Sequence, residues 1–135
     1  MTGSNTDRQT HPQRVVAVHL AARSTDVEKN LLHVDDLVRE AVRKHNPSLV
    51  VLPERLAGAS GAGGTHGRTS ARPIDGAPLQ LIRTLSRELD VVVAAGFHAQ
   101  RGRDAHITYV LAAPDGAATL HNKSFASPSD ARIAR

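Results

Sequence analysis

The sequence contains no cysteine, which excludes disulfide bonds, cysteine-based metal sites and catalysis by a thiolate of this chain. Aromatic residues make up only 2% of it, so a core must be built from valine, leucine, isoleucine and alanine. No apolar run reaches the length that a membrane-spanning helix needs. The start, from Met1 to Gln13, is polar and lacks the basic-then-apolar order of a signal peptide. We therefore expect residues 1–13 to form a short disordered tail of a cytoplasmic protein.

Positive charge is in excess, with a formal net charge of +4, but the cations are scattered along the chain. The densest group, Arg39, Arg43 and Lys44, lies on a predicted helix. The few aromatic residues offer little for stacking on bases. A small basic nucleic-acid-binding domain is therefore an alternative with little support. A basic surface also raises solubility without needing any partner.

The first half of the chain has the pattern of a strand, a helix and a second strand. The apolar runs Arg14–Leu20 and Ser48–Leu52 predict buried strands. Between them, apolar residues recur at three-to-four spacing, as expected for one face of an amphipathic helix. Ser24, Thr25 and Asp26 each offer an N-cap for this helix, and Thr25 and Glu28 have the spacing of a capping box. Pro47 ends the helix. Short connections between such elements predict a parallel βαβ unit.

Residues 57–73 are rich in glycine, alanine, serine and threonine and predict a long loop. Its glycines match neither the dinucleotide-binding fingerprint nor a phosphate-binding loop. The eight histidines include no His-x-x-x-His pair, and no spacing suggests a zinc site. We therefore expect neither a cofactor nor a metal ion.

The second half predicts a helix that begins near Pro78, followed by three strands. Val91–Phe97 and Ile107–Ala113 are apolar runs of strand length. The turn signal Pro114-Asp-Gly116 then leads into Ala117–Phe125, which completes an antiparallel hairpin. The chain as a whole predicts an α/β fold with roughly five strands and two helices.

Glu54 and Lys123 are the candidate site residues. Glu54 directly follows a buried strand, at the carboxyl end where parallel sheets collect their ligand-binding groups. The alternative is a solvated or helix-capping glutamate. Lys123 lies near the end of the last predicted strand, and taken alone it has the pattern of a surface lysine.

The order of these features resembles the N-terminal portion of the nitrilase, or carbon–nitrogen hydrolase, superfamily over residues 14–123. Seven short motifs carry the resemblance, in this order: Arg14-Val-Val-Ala-Val18, Glu28-Lys-Asn-Leu31, Leu49-Val-Val-Leu-Pro-Glu54, Asp75-Gly-Ala-Pro-Leu79, Leu85-Ser-Arg-Glu-Leu-Asp90, Val91-Val-Val-Ala-Ala-Gly-Phe97 and Tyr109-Val-Leu-Ala-Ala-Pro-Asp-Gly116. The resemblance implies an α-β-β-α sandwich and a Glu–Lys–Cys site. Glu54 would be the general base and Lys123 the cation that stabilises the oxyanion. The family's nucleophilic cysteine would lie beyond the end of this chain.

Three short segments depart from the family pattern. The family usually has Tyr-Arg-Lys where this chain has His121-Asn122-Lys123, and Tyr-Asn-Ser where it has His106-Ile107-Thr108. The glutamate often found after the Gly-Phe of the third strand is absent, since Phe97 is followed by His98-Ala99-Gln100. These departures affect the assignment of Lys123 to the family's lysine more than the assignment of Glu54 to its glutamate.

The resemblance implies a partial hydrolase domain over residues 14–126, with an irregular tail over residues 127–135. We expect such a truncated carbon–nitrogen hydrolase to be inactive alone, because the acyl-enzyme cannot form without the thiol. The parent family acts on a small-molecule amide or nitrile. Two alternatives stay open: the first half of a split amidase, with a separately encoded second half, and a non-catalytic binding or assembly module.

A partial sandwich predicts an unpaired sheet edge and an exposed apolar face, so the chain alone should associate with itself. Gel filtration after refolding checks this expectation and should give a homo-oligomer or aggregate. A stable monomer would contradict it.

Overall fold

The computed structural model describes residues 13–20, 25–56 and 71–125. These residues form one mixed sheet of six strands and two helices. The strands are β1 Val15–Ala17, β2 Leu49–Val51, β3 Arg72–Pro73, β4 Val92–Arg101, β5 Asp104–Ala112 and β6 Ala118–Asn122. The helices are α1 Val27–His45 and α2 Ala77–Leu89. The predicted α/β class is confirmed.

The strand order is β1-β2-β4-β5-β6, with the short β3 pairing alongside β4. β1, β2 and β4 are parallel neighbours, so the α1 and α2 crossovers lie on the same face of the sheet. β4, β5 and β6 then continue as an antiparallel meander. The predicted parallel βαβ unit and the last hairpin are both present.

Both helices bury the apolar stripes that their sequences predict. On α1 the buried apolar positions are Val27, Leu31, Val34 and Val38, and on α2 they are Leu79, Ile82 and Leu85. They pack against the alternate residues of β4 and β5 that point to the same side, including Val93, Ala95, Phe97, Val110 and Ala112. The core therefore lies in a single layer between the two helices and one face of the sheet.

The opposite face of the sheet is bare among the described residues. Apolar side chains there are exposed, with Val15 57%, Val51 37%, Tyr109 38% and Leu111 50% accessible. Val51 and Leu111 lie in one row of the sheet, on either side of Ala94. No described strand pairs with the outer edge of β1 or β6. The expected apolar face and unpaired edges are thus features of the described part of the chain.

Several element boundaries differ from those that the apolar pattern predicts. β4 continues as far as Arg101 and β5 begins already at Asp104, because the two strands stay paired through polar residues. A two-residue turn joins them, and its Gly102 has a φ of +61°. β3 was missed, since Arg72–Pro73 has no apolar run and exists only through pairing with Ala99–Gln100. The sheet accordingly has six strands rather than five.

Of the three N-cap candidates, Asp26 caps α1, and Thr25, which has the capping-box spacing, does not. The Asp26 side chain accepts a hydrogen bond from the Lys29 backbone N–H at 3.2 Å, and this bond lowers the pKa of the carboxyl group. The helix ends at His45, and Asn46 then adopts a left-handed conformation before Pro47. No described helix is both long and apolar enough to cross a bilayer. The predicted tails lie outside the described residues except for Gln13, as does most of the predicted loop, residues 57–70.

Ser86 ties the end of α2 to the sheet, and its loss should lower stability. The buried Oγ lies 2.6 Å from the carbonyl oxygen of Val91 and 3.0 Å from that of Ala112. Ser86→Ala leaves these acceptors without that donor, so we expect a loss of about 1–2 kcal/mol in the free energy of unfolding. Urea denaturation measures it. Thr84→Ala, at an exposed position of the same helix, is the control and should change stability by less than about 0.5 kcal/mol. Equal losses in both variants would contradict this role of Ser86.

Candidate active site

Glu54 lies in a turn that leaves β2 but stays attached to β4. The Leu52 N–H donates to the carbonyl oxygen of Ala94 at 2.8 Å, and the Gly96 N–H donates to that of Pro53 at 3.1 Å. The Leu56 N–H then donates back to the carbonyl oxygen of Gly96, also at 3.1 Å. The backbone of Glu54 is therefore held against β4 from both sides.

This attachment requires glycine at position 96. A Cβ at Gly96 would lie 2.4 Å from the carbonyl oxygen of Glu54 and 2.7 Å from its Cα. Both are backbone atoms held by the hydrogen bonds described above, so they cannot move aside easily. The absence of a side chain at Gly96 lets the two backbones approach this closely. In the sequence, Gly96 contributed only to a family motif, and its physical role is visible only in the fold.

Lys123 follows β6, which lies two strands away from β4 in the sheet, and its side chain contacts Glu54 directly. Its backbone N–H donates to the carbonyl oxygen of Ile107 at 2.8 Å, which continues the β5–β6 ladder by one residue. Its Nζ donates to Glu54 Oε1 at 2.8 Å, and each side chain is 30% exposed. The structure thus brings together the two candidate residues, which are 69 positions apart in sequence.

A second cation lies beside the same carboxylate. Arg55 Nε is 3.8 Å from Glu54 Oε2, so the two oxygens of Glu54 face different positive groups. These side chains are about one third exposed, and water screens their attraction accordingly. An ionised carboxylate has lone pairs to spare on both oxygens. Glu54 can therefore accept a hydrogen bond from a further group while it holds Lys123.

Glu54 and Lys123 open into a cleft of about 400 Å³ on the bare side of the sheet. The other residues that line it are Tyr109, His121, Ser124 and Phe125. Tyr109 and His121 are direct neighbours across β5 and β6, and Phe125 is 88% exposed. Sequence reasoning missed these residues as site residues. The alternation along β5 and β6 could have indicated that Tyr109 and His121 share a face.

Two features of the site bear on metals. The described residues contain no group of three or more histidine, aspartate or glutamate side chains placed to hold a metal ion. At the site itself, Lys123 and Arg55 both lie next to the single carboxylate. The arrangement is that of a carboxylate base beside an ammonium group, which suits proton transfer and stabilisation of negative charge.

The family to which the chain belongs is shown by a family model. The family model described as carbon-nitrogen hydrolase matches residues 12–126, most of the chain. The chain therefore belongs to the carbon–nitrogen hydrolase family. A comparison with curated protein sequences gives no match.

Several solved structures share this fold, among them proteins described as members of the CN-hydrolase and nitrilase superfamilies, and this confirms the predicted partial nitrilase-like architecture. A CN-hydrolase superfamily protein from Xanthomonas campestris, with an arsenic adduct in its active site, is 22% identical over 85% of this chain and 42% of its own, with a TM-score of 0.73. Nit3 of Saccharomyces cerevisiae is 18% identical over 91% of this chain and 48% of its own, with a TM-score of 0.72. An amidase from Nesterenkonia sp. is 21% identical over 91% of this chain and 47% of its own, with a TM-score of 0.73. The chain thus spans less than half the length of each.

The contact between Gly96 and Glu54 predicts that Gly96→Ala disrupts the site. We expect the added Cβ to push the Glu54 turn off β4 and to lower the free energy of unfolding by about 1–3 kcal/mol or more. Chemical denaturation measures the loss, and a crystal structure of the variant should show a longer distance between Glu54 and Lys123.

Gly102→Ala is the matched control. No atom lies within 4 Å of its added Cβ, although its φ of +61° is unfavourable for alanine. We expect a smaller loss there, of about 1 kcal/mol, with Glu54 and Lys123 still in contact. A Gly96→Ala variant that keeps both its stability and this contact would contradict the interpretation.

Proposed function

We propose that this chain supplies the general base and the oxyanion-stabilising cation for hydrolysis of a non-peptide C–N bond in a small amide. The observation that carries the proposal is the 2.8 Å contact between Glu54 and Lys123 in an open cleft. The chain's membership of the carbon–nitrogen hydrolase family gives the type of bond. The amidase from Nesterenkonia sp. supports an amide rather than a nitrile as the first substrate to test.

In the proposed reaction, Glu54 takes the proton of a cysteine thiol and the thiolate attacks the amide carbon. The carbonyl oxygen becomes an oxyanion, which the Lys123 ammonium stabilises. Glu54 then gives the proton to the leaving amine as the C–N bond breaks. In the second half of the reaction Glu54 takes a proton from water as the water oxygen attacks the acyl carbon. The C–S bond then breaks, and Glu54 returns the proton to the departing thiolate, which restores the thiol. Carboxylic acid and amine are the products.

The thiol in this scheme must come from a polypeptide segment outside residues 1–135, since these contain no cysteine. The bare face of the sheet supports such an addition. Val51, Tyr109 and Leu111 are exposed there, and Tyr109 also lines the cleft. A second sheet packed on this face at the usual spacing of about 10 Å would bury them and cover the cleft. We propose that this sheet carries the nucleophile, either later in the same protein or in a second chain.

The same exposed face favours a second candidate function, a non-catalytic module that assembles with another protein. In that case the partner covers the apolar face but brings no thiol to Glu54. The two candidates differ in whether the assembled complex hydrolyses amides. The cytoplasmic location stays a prediction from the sequence, which fluorescent tagging of the protein in its own cells checks.

The test compares the chain alone with the chain fused to a second half that includes an active-site cysteine, taken from the Nesterenkonia amidase. We expect no ammonia release from small aliphatic amides by the chain alone, and measurable release by the fusion. Glu54→Gln and Lys123→Met should each lower the kcat/KM of the fusion about 100-fold or more, because each removes a group that acts in the transition state.

Glu40→Gln and Lys44→Met make the same chemical changes at exposed positions of α1 and serve as controls. Both should leave kcat/KM within about twofold, as expected for surface substitutions outside the site. Full activity in Glu54→Gln would contradict the catalytic role. A folded fusion with its apolar face covered but no hydrolysis would favour the assembly module.

A further inference from the structure

The orientation of Lys123 depends on the register of β6, and β6 is poorly anchored by apolar residues. It is a five-residue edge strand in which half-buried and exposed residues alternate. Leu120 is the one large apolar side chain on its helix-facing side. A slip by one residue in a strand moves every side chain to the other face. Such a slip would turn Lys123 away from Glu54.

The hairpin turn fixes only one end of this strand. The Ala113 N–H donates to the carbonyl oxygen of Ala117 at 2.8 Å, which sets the register next to the turn. Lys123 lies six residues further on, at the opposite end, which is about 20 Å at the usual rise per residue. Edge strands fray at the end that is far from their turn. A second contact is needed to hold the end that carries Lys123.

Thr108 and Asn122 provide that contact. They are direct partners across β5 and β6, and Thr108 Oγ1 donates to Asn122 Oδ1 at 2.8 Å. Thr108 is completely buried, so its hydroxyl has no access to water. A hydrogen bond from this buried hydroxyl to the half-buried amide of Asn122 is specific to one register, because in a slipped strand the two groups would no longer face each other.

We propose that Thr108 and Asn122 are positioning residues that lock the end of β6 and thereby direct Lys123 toward Glu54. Asn122 points to the helix-facing side of the sheet, in the same row as Thr108, and Lys123 points to the other side. The Lys123 N–H bond to Ile107 follows directly from that register. The inference rests on the proposed function where it treats Lys123 as part of a catalytic site. The register itself is a property of the chain alone.

The experiment uses the full chain and nuclear magnetic resonance of Lys123. One measurement is the hydrogen exchange rate of the Lys123 backbone amide, which reports its bond to Ile107. The other is the change in the Lys123 Nζ chemical shift when Glu54→Gln is introduced, which reports the contact between the two side chains. A variant that only lowers the overall stability would still show this second response in its folded molecules.

Thr108→Val keeps the shape of the side chain and removes the donor. We expect Lys123 amide exchange to rise about tenfold or more and the Nζ shift to lose its response to Glu54→Gln. Thr108→Ser should restore both signals. Thr119→Val makes the same change at an exposed position of β6 and should alter neither. If Thr108→Val does not fold, Asn122→Ala, at a half-buried edge position, tests the same contact.

The inference is overturned if a folded Thr108→Val or Asn122→Ala variant keeps both the amide protection and the response to Glu54→Gln. It is equally overturned if Thr119→Val causes the same losses. These outcomes are independent of the amidase assay. If the fusion hydrolyses no amide but Lys123 keeps both signals only while the Thr108–Asn122 bond is present, the proposed function alone is contradicted. If the fusion is active but Thr108→Val leaves both Lys123 signals unchanged, the positioning role alone is contradicted.

Discussion

The close backbone approach between Glu54 and Gly96 is the constraint on which the site depends. β2 ends at Val51, yet hydrogen bonds from the following residues keep the chain on β4 as far as Leu56. The Glu54 carboxylate therefore starts from a fixed point of the sheet rather than from a free loop. This is possible because position 96 has no side chain, and the two backbones occupy the space that a Cβ would need.

The sheet sets the geometry of the ion pair, and the pair contributes little to holding the sheet. Glu54 and Lys123 are both partly exposed, and such pairs contribute at most about 1 kcal/mol to stability. The pairing of β4, β5 and β6 buries many more side chains than the ion pair does. It also fixes the backbone positions from which the side chains of Glu54 and Lys123 extend. The two helices cover one face of this sheet, so the site and the exposed apolar residues share the other. The Glu54–Lys123 pair and the exposed apolar residues thus lie side by side.

Two departures from the family pattern that look independent in the sequence are one interaction in the structure. His106-Ile107-Thr108 and His121-Asn122-Lys123 lie in different strands, but Thr108 and Asn122 face each other and share a hydrogen bond. The two segments therefore meet through this pair. Although His121 and Asn122 depart from the family pattern, Lys123 still reaches Glu54 at 2.8 Å.

The sequence by itself determined both helices, the parallel strands and the place of Glu54, because apolar periodicity and strand ends are local signals. Only the tertiary structure decided β3 and the full length of β4 and β5, since strand pairing depends on neighbours in space. Lys123 shows the difference most clearly. A single lysine carries no local signal, and its distance from Glu54 depends on the order and register of strands that the sequence does not encode locally.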